Sequence, residues 1–263
     1  MKEKNFIYSV ETDVNSIELD VANAGVEICV TSGKKCFIEY PNAKNIFAAN
    51  DENGIIIHQG KSGFFTRPYQ NIKITVPAHT VPSLKIHGKN VDLSVKNGIY
   101  GELNYFAEAG YIALYDCVFG SAEISGGNIN VHVTGATVKD NFLSQTDKGD
   151  VLLENDFFTR AEVRVKRGNI GAVNVNCKDC AFDTQKGNIT ANLDGNENDF
   201  NTSLVTREGT ANRESAAVSG ADGNFHAYAK KGNIVLDFNE EPQITSELLA
   251  AVADENLKEK ENA

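Results

Sequence analysis

A chain of 263 residues, 41% hydrophobic and 23% charged, has the balance of a globular protein able to bury a large core, which excludes collagen, coiled coil and wholesale disorder. Lys and Arg total 25 against 36 acids, and a net charge of −11 repels a phosphate backbone, so nucleic acid is not an expected partner. The start, Met1-Lys2-Glu3-Lys4-Asn5-Phe6, is basic, but Ser9, Glu11 and Asp13 interrupt before the apolar segment of a signal peptide can form. No run approaches the ~20 apolar residues of a membrane-spanning helix, Leu248 to Ala253 being among the longest. The expectation is a cytoplasmic protein with no direct membrane insertion. Five scattered cysteines (Cys29, Cys36, Cys117, Cys177, Cys180) agree with it, because an odd set is not a disulfide framework.

In chain order, residues 1–85 read as irregular β-structure. Val14/Ile17/Leu19/Val21, Val26/Ile28/Val30, Ile55 to Ile57 and Ile72/Ile74/Val76 are strands separated by turns. From residue 86 to 242 the pattern becomes regular. Between Pro82 and Pro242 lie 159 residues without proline, holding 17 of the 22 glycines. Chain paired on both sides in β-ladders has no place for proline, and helices do not tolerate so many glycines.

Those glycines recur. Gly127-Asn128-Ile129, Gly149-Asp150-Val151, Gly168-Asn169-Ile170, Gly187-Asn188-Ile189 and Gly232-Asn233-Ile234 are strong members, and Gly88, Gly110 and Gly209 head weaker ones. After each glycine, apolar and polar residues alternate, as in Ile189/Ala191/Leu193 and Ile234/Leu236/Phe238, the mark of a strand with one buried face. The Gly-Asn/Asp pair suits a tight corner, so its predicted role is structural. Units of about 20 residues that cannot bury an apolar face alone must stack. The predicted fold is therefore all-β, a single β-solenoid domain over residues 1–242 with its first 85 residues as an irregular cap. A Greek-key sandwich, the competitor, has no need for one corner sequence to recur.

After Pro242, Thr245-Ser246-Glu247 followed by Leu248, Leu249, Val252 and Leu257 predicts an N-capped amphipathic helix within a tail over residues 243–263. Its apolar stripe would cap the last coil (Ile234, Leu236, Phe238) or meet a second chain, so self-association through this helix or the solenoid ends is an expectation.

One track resembles a known family. Ile72-Lys73-Ile74-Thr75-Val76-Pro77, then Ser83-Leu84-Lys85-Ile86, then the successive Gly-Asn/Asp-Ile/Val corners, look like the bacterial "putative adhesin" family of domains of unknown function, over roughly residues 10–240. The resemblance implies a single-stranded right-handed β-helix and brings no catalytic residues to carry over.

Chemistry is thin. Cys177-Lys178-Asp179-Cys180 lacks the two further ligands of a zinc site and the βαβ setting of a redox motif, and reads as two small side chains lining a return. Asp194-Gly195-Asn196-Glu197-Asn198-Asp199 has calcium-loop residues at its first, third and fifth positions, but Asp199 stands where the glycine belongs. It reads as a solvated insertion. Asp147, Asp150, Glu154 and Asp156 cluster in one unit and Asp179 with Asp183 in another, as acidic turns do. No cofactor, metal or catalytic set is expected. Lys148, Arg167 and Lys186 hold the same position in three consecutive units and would form a cationic ladder suited to an anion. The functional expectation is a non-enzymatic structural or interaction module for an unknown protein or glycan. The alternative is a carbohydrate-active or glycan-binding protein.

Overall fold

Every second side chain along the strands is buried, as the alternation requires: Ile189, Ala191 and Leu193 lie inside while Thr190 is exposed. The computed structural model describes residues 5–10, 14–41, 46–50, 54–60 and 69–239. Its 15 strands join in one sheet, and the only helical segment among the described residues is a 3-10 turn at Glu197–Asp199.

Pairing is parallel at a distance of one repeat. Ala122 lies beside Phe142, Phe142 beside Ala161, and Ala161 beside Cys180. On the opposite wall, Val131, Val151, Ile170 and Ile189 succeed one another. A sandwich made of hairpins would pair its neighbours antiparallel, so this is coil on coil, a β-solenoid-like stack. Inward side chains form one continuous core from Val10 to Leu236. Within it Phe142 and Phe158 meet at 4.9 Å between ring centroids, and Phe182 and Phe225 at 5.5 Å. Burying one such ring contributes about 1.5–3 kcal/mol, which no single coil could gather alone.

The coils do not stack in chain order. Ser16–Thr31, first in the sequence, is second in space: it pairs with residues 83–96 on one side and with Gly54–Gln59 and Gln70–Pro77 on the other. At the far end Gly223–Lys231 is inserted between Ile170–Thr184 and Phe200–Glu208. Ile189–Asp194 accordingly pairs with Ile234–Asn239, 45 residues on. The outermost coil at the far end, Phe200–Glu208, is thus held at both its ends by chain that continues inward, which opposes fraying.

Both ends stop further parallel addition by different means. At the first, Cys36–Pro41, Asn5–Val10 and Ile46–Asn50 add antiparallel strands. At the second, the edge of Ile234–Asn239 is covered by side chains. Asn212 Nδ2 donates to the Leu236 carbonyl at 3.1 Å and its Oδ1 accepts the Leu236 N–H at 2.9 Å, imitating one strand residue. Arg213 donates to the same carbonyl at 2.8 Å and lies over the Phe238 ring at 5.4 Å. The last coil expected to need the tail as its cap is therefore covered from residues 211–213. The helix predicted over Ser246 to Leu257 lies outside the described residues.

Candidate functional site

The repeating glycines build one edge of the solenoid. Gly149, Gly168, Gly187 and Gly232 have φ of 119°, 149°, 154° and 150°. A Cβ on Gly187 would stand 1.9 Å from the Gly168 carbonyl oxygen, so only glycine lets the coils meet here. The next residue makes a ladder. Asp150 Oδ1 accepts the Asn169 N–H at 2.7 Å, Asn169 Oδ1 that of Asn188 at 2.9 Å, and Asn188 Oδ1 that of Asn233 at 2.9 Å. Asn233 in turn accepts the Thr210 N–H at 3.0 Å. Where the strand ladder breaks to turn, a side chain satisfies each backbone donor.

Gly127 and Asn128 stand outside this column. Val131 is level with Val151, so Asn130 is the residue under Asp150, whose N–H it accepts at 2.9 Å. The positive φ in that coil belongs to Gly126, at 153°. Asn128 and Asp150 are 22 residues apart, whereas the two coils pair at an offset of 20, which sets the corner two places beyond Asn128.

A second corner column escaped the sequence reading. Asn97, Asp116, Gly135, Asn155 and Asn174 all have φ between 50° and 66°. Asn and Asp tolerate this left-handed backbone better than other chiral residues, and their 19- or 20-residue spacing was the available signal. Asn174 Nδ2 donates to Asn155 Oδ1 at 3.1 Å. Beside this column Asp156 is fully buried, accepting the N–H groups of Ala136 and Glu154 at 2.8 and 2.9 Å. Burial outweighs those two bonds and pushes its carboxyl up to about 8.

Followed toward the first end, the glycine edge becomes a groove. Gly25, Asp92 and Tyr111 continue the corner column, with Asn71 level with Gly25. They line a cleft of about 380 Å³ with Lys73 and Ser94. Tyr69 donates to Asp92 Oδ2 at 2.6 Å, and its hydroxyl would be 2.8 Å from a Cβ on Gly25. Asp92 Oδ1 accepts the Tyr111 N–H at 2.9 Å. The Tyr111 hydroxyl is 3.2 Å from His132 Nδ1, and His132 Nε2 is 2.7 Å from Glu154 Oε2. Burial, with Tyr115 next to it, pushes the Tyr111 phenol up to about 12. A polar line therefore runs from Tyr69 through Asp92, Tyr111 and His132 to Glu154 across successive coils.

Lys148, Arg167 and Lys186 lie on the same edge, two residues before Asp150, Asn169 and Asn188. Lys148 is level with Arg167, and the Gly168 N–H donates to the Lys186 carbonyl at 2.9 Å. All three are exposed.

The remaining candidates are dispersed. Cys177 and Cys180 are nearly buried and joined by a disulfide with their Cα atoms 6.1 Å apart, which corrects the reading of two independent side chains. Asp147 pairs with Lys166 at 2.6 Å, and Asp179 accepts from Asn224 at 2.7 Å. In the calcium-like stretch, Asn196 accepts the Asn198 N–H and Asp199 accepts that of Asn196, closing a capping box. Among the described residues no group of three or more His, Cys, Asp or Glu side chains is placed to hold a metal. No helix among them is long and apolar enough to cross a membrane.

No curated protein matches the chain. Three solved structures share the architecture. A "putative adhesin" from Bacteroides fragilis is 17% identical, with 90% of this chain and 98% of that one covered at a TM-score of 0.50. One from Parabacteroides distasonis is 12% identical, with 89% and 97% covered at 0.52. One from Parabacteroides merdae is 13% identical, with 89% and 96% covered at 0.50. Such identities establish a shared fold and nothing finer. The family model described as Toastrack DUF4097 matches residues 14–233, from the buried Val14 to the last Gly-Asn corner, and the protein belongs to that family of domains of unknown function.

Proposed function

We propose that the protein is a non-enzymatic interaction module that binds carbohydrate in the tyrosine-flanked groove. The observation that carries this reading is the groove: Tyr69 and Tyr111 are 47% and 39% exposed beside Asp92, with Asn71, Lys73 and Ser94 around them. Aromatic rings stack on the apolar faces of sugars, while carboxylate, amide and hydroxyl groups bind sugar hydroxyls. The hydrogen bonds that hold Asp92 in place mean that little ordering is left to do on binding. We take the coils to be right-handed, as crossovers between parallel strands are. The Cys177–Cys180 disulfide favours an oxidising compartment over the cytoplasmic placement expected from the amino-terminal residues.

A carbohydrate-active reading has one observation in its favour, the hydroxyl–imidazole–carboxylate order of Tyr111, His132 and Glu154. A single assay separates the two. Neutral oligosaccharides are titrated into the protein and the products analysed for new reducing ends. Saturable binding that weakens at least tenfold in Tyr111→Ala, with no new reducing ends, is the expected result. Reducing ends whose release stops in Glu154→Gln would replace the module with an enzyme. No binding to any glycan would overturn the carbohydrate reading.

A further inference from the structure

The glycine edge continues past the groove as a cationic ridge. In register from coil to coil run Asn128, Lys148, Arg167, Lys186, Lys231 and Glu208. One residue earlier in the coils stand Lys166, Lys230 and Arg207. Seven of the chain's 25 basic residues therefore share this stretch of one edge in a protein with a net charge of −11. Lys231 is paired with Glu208 at 2.9 Å and Lys166 with Asp147 at 2.6 Å. Lys148, Arg167 and Lys186 are exposed and have no ion pair among the described residues.

Folding does not need this row. Corner closure uses the glycine and the Asn/Asp after it, and the backbone bonds at the cation positions, such as Gly149 N–H to the Arg167 carbonyl at 3.1 Å, are independent of side chain. Adjacent strands sit about 4.8 Å apart, within a Debye length of about 8 Å at physiological salt, so stacked like charges repel. A ligand carrying its own row of anions turns that repulsion into attraction. Beside the cations, Asn188 and Asn233 each commit Oδ1 to the next coil's backbone. Their amide nitrogens have no partner among the described residues and are free to donate to hydroxyl or carboxylate oxygens.

We propose that this ridge binds a linear acidic polysaccharide, with successive carboxylates of the chain read by Lys148, Arg167 and Lys186. The inference deepens the carbohydrate reading of the groove and rests on it for the sugar, since both lie along one edge. The ridge is a narrow line with no exposed aromatic ring in the row, and the surrounding charge is negative. A duplex or a base-stacking single strand finds little support there. Single uronates should bind far more weakly than the polymer, because each coil contributes one contact and the polymer links them.

The test titrates polygalacturonate, galacturonic acid, a neutral galactan, polyphosphate and oligo-dT into the wild type, K148Q/R167Q/K186Q and Tyr111→Ala. Expected is polygalacturonate binding that weakens with added salt, exceeds that of the monomer and of oligo-dT, and falls at least tenfold in the triple variant. The triple variant should keep the wild-type circular dichroism spectrum and neutral galactan binding. Equal polygalacturonate affinity in wild type and triple variant would overturn the ridge while leaving the groove standing. Polyphosphate or oligo-dT bound as tightly as polygalacturonate would overturn the choice of a polysaccharide. Loss of polygalacturonate binding in the triple variant, with Tyr111→Ala indistinguishable from wild type on every glycan, supports the ridge and removes the groove.

Discussion

Substituting Gly187 by alanine tests how the coils are stacked. Its φ of 154° is a backbone region that chiral residues rarely adopt, and a Cβ there meets the Gly168 carbonyl oxygen at 1.9 Å and its carbon at 2.5 Å. Backbone strain of this kind costs about 1–3 kcal/mol. Moving these two coils apart also stretches two bonds between them, Gly168 N–H to the Lys186 carbonyl at 2.9 Å and Ile170 N–H to the Asn188 carbonyl at 2.9 Å. Each is worth about 0.5–1.5 kcal/mol net, so the total loss is about 2–6 kcal/mol. At about 2–4 °C per kcal/mol for a chain near this size, a loss of about 4 kcal/mol lowers Tm by about 8–16 °C. Thermal denaturation followed by circular dichroism reads this directly. Gly220 provides the control, since its φ is 86° but nothing lies within 4 Å of an added Cβ. Gly220→Ala should therefore show the strain without the clash and melt well above Gly187→Ala. Gly33→Ala, whose Cβ would meet only the Thr31 side chain, Cγ2 at 3.5 Å and Oγ1 at 3.7 Å, should match the wild type. If Gly187→Ala and Gly220→Ala melt together, close coil contact is not what demands glycine at the corner.

Three other outcomes follow from the geometry. The triple variant K148Q/R167Q/K186Q should gain under about 1 kcal/mol of stability in low salt, read as a higher Tm, with the gain vanishing in 0.5 M salt; a lower Tm would mean that the cations support the fold. Asp156 has a folded-state carboxyl raised to about 8 against about 3.9 unfolded, so between these values the native state holds a proton that the unfolded chain has released. Its contribution is greatest below about pH 4 and declines as pH climbs to 8, and denaturant titrations of Asp156→Asn should show that slope flattened. Arg213→Ala removes the bond to the Leu236 carbonyl, the contact over Phe238 and the ion pair to Glu197 at 2.6 Å. It should cost about 1–3 kcal/mol and raise the sedimenting mass through the opened edge; a monomer of unchanged Tm would show that the edge needs no such cover.

What the amino-acid sequence determined by itself is the repeating coil. Alternation at Ile189/Ala191/Leu193 and the glycine before each strand are legible because every coil offers its residues the same surroundings: an inner face, an outer face and a corner too tight for a Cβ. The cation row was legible for the same reason, since equal places in consecutive repeats become neighbours. The order of the coils was not. Stacking Ile189 on the next repeat in the chain, headed by Gly209, and stacking it on Ile234 satisfy the same local preferences, and only the packing of the whole stack selects the second. The corner read at Gly127-Asn128 lies two residues off for a related cause, because a displacement of two leaves the alternation of buried and exposed side chains unchanged. The groove depends on tertiary structure altogether. Tyr69, Asp92 and Tyr111 are separated by about one coil each, but they meet because Ser16–Thr31 is inserted beside residues 83–96 with Gly25 under the Tyr69 ring. Chain distance carries local propensity and period, whereas a site assembled from three coils exists only once burial of the shared core has decided which coil lies on which.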